Sequence, residues 1–482
     1  MDTRPHPHTT PSSPGVLRTG AIGVVLLGLT VIALPGPAPA GPSGNKVAHA
    51  TPGLLKPNLL FVLTDDQPVK SMAVMPRTRE GFPVSFTNAF VTTPLCCPSR
   101  ASILTGRYAH ATGVRGNGDY PTFKARWEAD SLGPWLDAQG YYTGFVGKYL
   151  NRFRENPVPP GWDEFYALVS GDYHAFRMRE ARRTGPDPHD GFVSYPNDET
   201  PQAYATTVMG DKALSFLERA ASPVYNTGGQ PWALFLWLQA PHTPLSPVPP
   251  HDQAAVPRRS RIPSFMERDL SDKPREVRRY RKLRRRAKTV KRIRRGQLRM
   301  LMSVDDTVER VFDTLDELSM RDQTWGLFTS DNGFLWGEHR LTGKRFAYEE
   351  SIRVPFRFAI PGREPETIPA MVANIDIAPT FVELAGDPGD HGFDGVSLLP
   401  LIEGQVRTIR SRLVIEAAKK GGYDAFRTRR WTFIRWRHTR HMELYDLKKD
   451  RYQLRNIAKT RPRVVRRLKR ALRAQLGGEW PW

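Results

Sequence analysis

Cysteine is nearly absent from the chain. Two of its 482 residues are cysteines, and these two, Cys96 and Cys97, are adjacent. Their number excludes a disulfide framework, and a bridge between neighbours in the chain would be strained. Their presence needs another explanation, and we favour a reactive thiol over a purely structural one.

Acidic residues are scarce relative to basic ones, with 49 Asp and Glu against 71 Lys and Arg and a net charge of +22. The excess is densest between Arg275 and Arg295, where thirteen basic residues accompany a single acidic one, Glu276. Such a segment is either a solvated insertion or a helix that faces an anionic polymer. Because Tyr280 is the one aromatic residue among these charges, we expect no nucleic acid to bind there.

Long hydrophobic runs are missing, with one exception near the N-terminus. Residues 21–34 are apolar, but the run is shorter than the roughly 20 residues that a membrane-spanning helix needs. Arginines precede it and small residues follow it, which predicts a signal peptide over residues 1–40 and a linker over 41–55; the alternative is an uncleaved anchor. We therefore expect a secreted or cell-envelope protein without an integral membrane domain. The lack of Asn-x-Ser/Thr sites favours a bacterial source.

The remaining apolar residues follow a regular pattern. Short apolar runs typical of buried parallel strands cover residues 58–64, 141–146, 232–238 and 324–329. Helical patterns alternate with them over residues 130–139, 203–221 and 297–318. Strands that alternate with helices indicate a doubly wound, mostly parallel α/β sheet.

The pattern of apolar and polar residues changes near the C-terminal end of the chain. Alternating apolar and polar residues there predict a small antiparallel sheet, followed by a basic helix over residues 461–476. We therefore predict a catalytic domain over residues 56–404, with a basic insertion at about 257–296, and a C-terminal subdomain over 405–482.

Polar side chains follow the predicted strands at the point where each strand ends. They are Asp65, Asp66, Lys148, His242, Asp331 and Asn332. Sites in doubly wound sheets form at the carboxyl ends of the strands, so we expect these side chains to converge. The three carboxylates and the amide are hard oxygen ligands that suit Ca²⁺ or Mg²⁺. The alternative is that each pair only ends its strand as a turn former.

The segment from Cys96 to Gly106 combines unusual features. Pro98 fits the first position of a helix and Gly106 fits its end, which would put Cys96 just before the helix N-terminus. The free N–H groups there favour an anion, and Arg100 can donate two parallel hydrogen bonds to an oxyanion. The segment by itself predicts an anion-binding turn with a cysteine of low pKa. A buried structural cysteine is the alternative.

This segment resembles the signature of the type I, formylglycine-dependent sulfatases, in which Cys-x-Pro-Ser-Arg is followed by Leu-Thr-Gly-Arg. Further motifs occur in that family's order: residues 65–67, 147–148, 241–244 and 331–333. Residues 145–151 and 302–306 resemble the N-acetylglucosamine-6-sulfatase branch. The resemblance implies an alkaline-phosphatase-like fold and hydrolysis of sulfate esters on a sulfated small molecule or glycan.

The resemblance also implies roles for individual residues. A separate formylglycine-generating enzyme would oxidise Cys96 to formylglycine, whose hydrate attacks sulfur and later expels sulfate. One calcium ion would bind Asp65, Asp66, Asp331, Asn332 and residue 96. Arg100 would hold the hydrate, while Lys148, His242 and Lys344 would hold sulfate oxygens, with His242 also a candidate acid for the leaving alcohol.

One position departs from the pattern of many sulfatases. The residue two positions after Lys148 is Leu150, where many members have a histidine that acts as the base in sulfate release. Asn151, His242 or water would then have to act as this base.

Two other functions stay open: a phosphomonoester or phosphonate hydrolase on the same core, and a non-catalytic envelope protein that binds polyanions through residues 275–295.

Overall fold

The fold is built around one large mixed sheet. In this computed structural model the described residues are 56–154, 156–278, 287–417 and 422–477. The predicted signal peptide and linker, and the centre of the Arg275–Arg295 segment, lie outside them. The strands are β1 (Asn58–Thr64), β2 (Val84–Phe90), β3 (Tyr142–Gly147), β4 (Glu164–Gly171), β5 (Phe176–Arg182), β6 (His189–Tyr195), β7 (Trp232–Trp237), β8 (Thr324–Ser330), β9 (Leu335–Trp336), β10 (Thr342–Gly343), β11 (Phe356–Ala359), β12 (Glu366–Ala373), β13 (Arg412–Ala417), β14 (Tyr423–Thr428), β15 (Trp431–Trp436) and β16 (Met442–Asp446).

Ten of these strands form the main sheet, in the order β12-β2-β11-β8-β1-β7-β3-β4-β5-β6. The central strands β8, β1, β7, β3 and β4 run parallel to one another, whereas β11 pairs antiparallel with β8, β5 with β4, and β6 with β5. The four strands predicted from apolar runs are all in this parallel centre. Their observed ends lie within one residue of the predicted ones.

Both faces of the central sheet are covered, and this explains the continuous apolar runs. Leu59, Phe61 and Leu63 of β1 belong to the hydrophobic core on one face, and Leu60 and Val62 belong to the core on the other. A strand that is buried on both sides has no solvent-facing positions, so its sequence does not alternate with polar residues.

Helices cover the two faces of the main sheet and also pack in the C-terminal part of the chain. They are α1 (Pro76–Gly81), α2 (Cys96–Thr105), α3 (Ala109–Thr112), α4 (Tyr120–Arg126), α5 (Leu132–Ala138), α6 (Ala205–Ala221), α7 (Arg275–Arg278), α8 (Ala287–Glu317), α9 (Glu349–Ile352), α10 (Ile377–Leu384), α11 (Leu399–Ile402) and α12 (Pro462–Gln475). Side chains of α6 and α8 pack into one core, and those of α2, α5 and α10 pack into the other.

Helix α8 begins ten residues before the predicted start, and so it takes in part of the basic segment. The apolar stripe continues through Val290 and Ile293, which pack into the core while the charged residues between them face outward. A helix with one apolar stripe tolerates many charges on its other faces.

The C-terminal part contains a separate four-stranded antiparallel sheet, β13-β14-β15-β16, on which α12 packs. The doubly wound sheet with a small antiparallel C-terminal sheet is thus confirmed. Within the described part of the chain, no helix has both the length and the apolar composition needed to span a bilayer.

Candidate active site

The carboxylates that follow β1 and β8 lie side by side. These two strands are parallel neighbours with Thr64 opposite Ser330, so the residues after them leave the sheet together. The backbone N–H of Asp66 donates a hydrogen bond to Asp331 Oδ1 at 3.2 Å. Asn332 Nδ2 donates to Asp66 Oδ1 at 2.6 Å. These side chains and Asp65 are buried, so three carboxyl groups share a site with little access to water.

Cys96 is the first residue of α2, and Pro98 is the third, two positions later in the helix than the sequence suggested. The helix ends as expected at Gly106, which has a φ of +66°, a conformation that glycine adopts without strain. The sulfur of Cys96 lies 3.4 Å from Asp65 Oδ1 and 2.7 Å from Lys344 Nζ. The helix therefore delivers Cys96 to the carboxylates at the ends of the strands.

The expectation of a low pKa for Cys96 is wrong. The side chain is fully buried, and burial raises the pKa of the thiol well above its usual value, with a further increase from the carboxylate of Asp65. Lys344 and Lys148 oppose this change but do not overcome it. A helix N-terminus lowers a cysteine pKa when the thiolate is partly solvated, whereas burial next to a carboxylate disfavours the anion.

Arg100 connects the cysteine helix to both strand ends. Its Nε donates to Asp331 Oδ2 at 2.8 Å, and another guanidinium nitrogen lies 3.3 Å from Asp65 Oδ2. The guanidinium also donates to the backbone carbonyl of Lys148 and lies over the ring of Trp237, 5.4 Å from its centroid. Burial opposes the charge of Arg100, but Asp331 stabilises it and raises its pKa.

Two lysines approach the carboxylates from opposite parts of the chain. Lys148 follows β3 and forms an ion pair with Asp65, and Lys344 follows β10 and forms one with Asp66. Burial opposes their charge, but the carboxylates raise the pKa of both ammonium groups. Both lysines therefore stay charged in the buried site.

The pKa values of two carboxyl groups in the cluster shift in opposite directions. Burial alone would raise the pKa of Asp65, but the surrounding cations, Lys148 foremost, hold it well below its usual value. Asp331 has a raised pKa because burial and the neighbouring charge of Asp65 outweigh the attraction of Arg100. Asp65 is therefore the most firmly ionised of these two acids.

His242 lies in the loop after β7 and is half-buried at the mouth of the site. Its Nε2 is 3.9 Å from Asp66 Oδ2, and its Nδ1 is 2.6 Å from the carbonyl oxygen of Thr243. Sequence reasoning did not find the residue that holds this loop. The hydroxyl of Tyr173 contacts the carbonyl oxygens of His242, at 2.7 Å, and of Gln239, at 3.0 Å.

The cluster fits a hard divalent cation. Single oxygen or sulfur atoms of Asp65, Asp66, Cys96 and Asp331 all lie within 4.8 Å of one another. Asn332 adds a side-chain oxygen, Oδ1, that is buried and has no hydrogen-bond partner. A buried amide oxygen without a partner is costly unless a cation or another donor contacts it. Three carboxylates and an amide are ligands typical of Ca²⁺.

A cavity of about 280 Å³ opens beside this cluster. Lys148, Leu150, Asn151, Gln239 and His242 are among the residues that line it. The side-chain oxygens of Asn151 and Gln239 are buried and have no hydrogen-bond partner. Two residues of the cavity lining therefore each carry a buried acceptor without a partner, next to a lysine and a histidine of the site.

Comparisons with known proteins agree on one family. The profile described as "Sulfatase" matches residues 57–387, and the profile described as "N-sulphoglucosamine sulphohydrolase, C-terminal" matches residues 337–477. A putative extracellular sulfatase Sulf-1 homolog of Caenorhabditis elegans is 34% identical over 72% of this chain and 49% of its own length. The chain thus spans about half the length of that relative. Human N-acetylglucosamine-6-sulfatase is 31% identical over 77% of this chain and 68% of its own length.

Solved structures agree on the fold. A protein whose structure was solved in complex with its substrate D-glucosamine-2-N,6-O-disulfate superposes with a TM-score of 0.70, at 23% identity, over 88% of this chain and 99% of the other. The alkaline-phosphatase-like architecture implied by the sequence motifs is therefore confirmed at the level of the fold.

Proposed function

Because the chain belongs to the sulfatase family, we propose that it hydrolyses sulfate esters of sugars, with residue 96 at the centre of the reaction. The observation that carries this proposal is the set of cations around Cys96. Lys344 Nζ lies 2.7 Å from its sulfur, and Lys148 and Arg100 pair with Asp65, the carboxylate that the sulfur contacts. Buried positive charge beside the reacting residue suits a sulfuryl group that carries negative charge throughout the reaction.

We further propose that a separate generating enzyme converts Cys96 to formylglycine, whose hydrate supplies the nucleophilic hydroxyl and a second hydroxyl that permits release of sulfate. Asp65, Asp66, Asp331 and Asn332, with residue 96, would hold one calcium ion, which supplies positive charge next to the sulfuryl oxygens. The shared position of the carboxylates and the unpartnered Oδ1 of Asn332 support this ligand set.

The chain's own residues would divide the remaining work. Arg100 is already bonded to Asp331 and Asp65, so it would hold the framework and the residue-96 helix in register. Lys148 and Lys344 would donate hydrogen bonds to sulfate oxygens as their carboxylate partners turn to the metal.

His242 is the candidate acid of the site. It is the most exposed of the proposed catalytic residues, with 31% of its side chain accessible. Its Nε2 is on the side of Asp66, while Nδ1 faces the Thr243 carbonyl and so carries the proton in the neutral ring. His242 in its protonated form would give a proton from Nε2 to the leaving alcohol.

The cavity of about 280 Å³ would accept the sugar. Hydroxyl and amide N–H groups of an amino sugar are donors, and Asn151 Oδ1 and Gln239 Oε1 are acceptors without partners. The name of the human relative, an N-acetylglucosamine-6-sulfatase, supports the same substrate class. We therefore propose sulfated amino sugars as substrates of an exported enzyme.

The substrate test compares two esters and one variant. The enzyme should hydrolyse 4-nitrophenyl sulfate with a kcat/KM at least about 100-fold above that for 4-nitrophenyl phosphate. The reverse order would favour the phosphomonoester or phosphonate hydrolase. Gln239→Leu should lower kcat/KM on a sulfated glucosamine about 5- to 30-fold, the cost of one lost hydrogen bond in a buried site, and leave the aryl sulfate nearly unaffected. Equal loss on both esters would remove Gln239 from sugar recognition.

A further inference from the structure

A second and larger cavity, of about 770 Å³, adjoins the loop that carries His242. It lies between that loop, at Thr243, Leu245 and Pro247, and the first turns of α8. We call it the basic groove, because the helix lines it with Lys288, Lys291, Arg292, Arg295 and Arg299. The described residues that line it include no acidic side chain.

The five basic residues form one stripe. Each of them lies three or four residues from another along α8, which puts them on the same side of the helix. At 1.5 Å per residue the stripe is about 16 Å long. Lys288, Lys291, Arg292 and Arg295 are exposed, whereas Val290 on the opposite face is buried. The cations therefore line a surface much longer than a single sulfate group.

The groove is physically joined to the proposed active site. Gln297 of α8 donates from Nε2 to the carbonyl oxygen of Pro241, the residue before His242, at 3.2 Å. Gly296 has no side chain, and a Cβ there would lie 3.1 Å from Leu245, so the loop packs directly on the helix. The same loop therefore has His242 at one end and a wall of the groove at the other.

We propose that the basic groove binds unreacted sulfate groups of the same polysaccharide chain whose reacting ester lies at residue 96. This proposal rests on the proposed function and adds to it that the substrate is a polymer with several sulfates. A cationic stripe without carboxylates attracts a polyanion and releases counterions from it. A sulfated glycan fits better than a nucleic acid, because the groove leads to a site for sulfate and its described lining contains no aromatic side chain for stacking bases.

The test uses four substitutions together: Lys288→Gln, Lys291→Gln, Arg292→Gln and Arg295→Gln. Glutamine removes the charge and keeps good helix propensity. The matched control is Arg463→Gln, Arg466→Gln, Arg467→Gln and Arg470→Gln, which removes the same charge from exposed positions of α12. Circular dichroism and thermal unfolding should show both proteins folded like the wild type.

Direct binding is measured with heparin as the probe and Cys96→Ala as the background, so no turnover is needed. The groove variant should bind heparin at least about 10-fold more weakly, and its slope of log affinity against log salt should fall by about 3, the effect of four lost charges. In the α12 variant, the heparin affinity and the salt slope should each change by less than half as much as in the groove variant. Equal weakening by the two variants would overturn the proposal, because it would show that only net charge matters.

Inhibition links the groove to the site in the proteins that retain Cys96. Heparin should inhibit hydrolysis of 4-nitrophenyl sulfate by the wild type, and the groove variant should need at least about 10-fold more heparin, with kcat/KM unchanged without it. If the protein hydrolyses no sulfate ester but the binding difference persists, the proposed function fails, and the groove remains a polyanion-binding site without a link to a reacting ester. If activity is normal and heparin inhibits both proteins alike, the groove proposal fails alone. The groove proposal would also be overturned if the wild type bound duplex DNA and heparin with equal affinity and the groove variant lost both affinities together.

Discussion

Arg100 Nε donates a hydrogen bond to Asp331 Oδ2 at 2.8 Å, and both side chains are completely buried. This ion pair joins α2, which carries residue 96, to the end of β8, which carries proposed metal ligands. Two elements more than two hundred residues apart in the chain are thereby held in one site. Such a contact contributes to function only as long as both partners are present.

Replacing Arg100 by lysine should destabilise the protein by about 2–3 kcal/mol, because the ammonium keeps the charge but cannot replace both guanidinium hydrogen bonds to Asp331 and Asp65. Urea unfolding measures the change. Arg107→Lys is the control, since that guanidinium contacts the His391 carbonyl and the Trp127 ring, and it should cost about 1 kcal/mol or less. Equal losses of unfolding free energy in the two variants would show that the Arg100–Asp331 ion pair stabilises the protein no more than the contacts of Arg107 do.

Cys96→Ala should lower kcat on sulfate esters by about 10⁴- to 10⁶-fold, as expected for loss of a nucleophile. Cys97→Ala, the adjacent cysteine, should keep most of the activity. Mass spectrometry of the protein from its native host should find the Cys96 peptide lighter by the difference between a thiol and an aldehyde. Full activity with an unmodified thiol would contradict the formylglycine proposal, and full function of Cys96→Ala would favour the non-catalytic polyanion-binding alternative.

Calcium should stabilise the chelator-treated protein. At a concentration about 100 times the dissociation constant, binding adds about 2.7 kcal/mol and raises Tm by about 3–5 °C. Asn332→Ala should remove most of this shift by deleting the unpartnered Oδ1. Asn226→Ala is the control: Asn226 is also buried and hydrogen-bonded, but it holds the loop after α6. The Tm of Asn226→Ala should be lower than that of the wild type, but calcium should still raise it. If calcium raised the Tm of Asn332→Ala as much as that of the wild type, Asn332 would be excluded as a ligand.

Tyr173→Phe should lower kcat about 10-fold, because the carbonyl oxygens of Gln239 and His242 lose the hydroxyl that holds their loop. The effect should fall on kcat more than on KM, since His242 contributes in the transition state. Tyr195→Phe removes a hydroxyl that donates to Glu180 between β5 and β6. It should cost similar stability, about 1 kcal/mol, without change in kcat. A kcat for Tyr173→Phe equal to that of the wild type would exclude the positioning role.

The buried ring of His339 should lose part of its contribution to stability in acid, while its contact Glu267, whose pKa burial raises to about 7, acts in the opposite direction. Burial, with a further contribution from Lys273, lowers the pKa of the His339 ring to about 3. Above pH 6.5 the ring is neutral in both states. As pH falls from 6.5 towards 3, the unfolded chain binds a proton that the folded protein does not. The stability contributed by this group is therefore lost in that window, by about 2 kcal/mol between pH 6.5 and 5.

The check is urea unfolding of the wild type and of His339→Gln at several pH values. The variant starts less stable, since it loses the hydrogen bond of Nδ1 to Glu267 at 2.6 Å. Its stability should nevertheless fall less steeply than that of the wild type between pH 6.5 and 5. Parallel curves for the two proteins would show that His339 does not titrate on unfolding.

Strand positions were well predicted because the chemistry that determines them is local. A strand covered on both faces must be apolar at every position, and the run from Asn58 to Thr64 carries that signal without reference to any other segment. The polar residues after such runs were predicted to converge for the same reason, since parallel strands end at one edge of the sheet.

The properties that failed or were missed depend on contacts between distant segments. The thiol of Cys96 was expected to have a low pKa because of its place at a helix N-terminus. In the fold it is buried beside Asp65, which follows β1, and its pKa is raised instead. Tyr173 gave no signal of its own, because its partners are backbone carbonyls more than sixty residues away. The start of α8 was missed because Val290 and Ile293 are surrounded in the sequence by basic residues. Their contacts with the core show that they continue the apolar stripe of the helix.

The amino-acid order thus sufficed for the family, for the parallel centre of the sheet and for the side chains that converge at its edge, since motif spacing and apolar pattern are properties of contiguous residues. Charge states, hydrogen-bond partners and the link between the His242 loop and the basic groove arose when the chain packed. Burial and electrostatic interaction depend on distance through space, and the folded arrangement alone sets those distances.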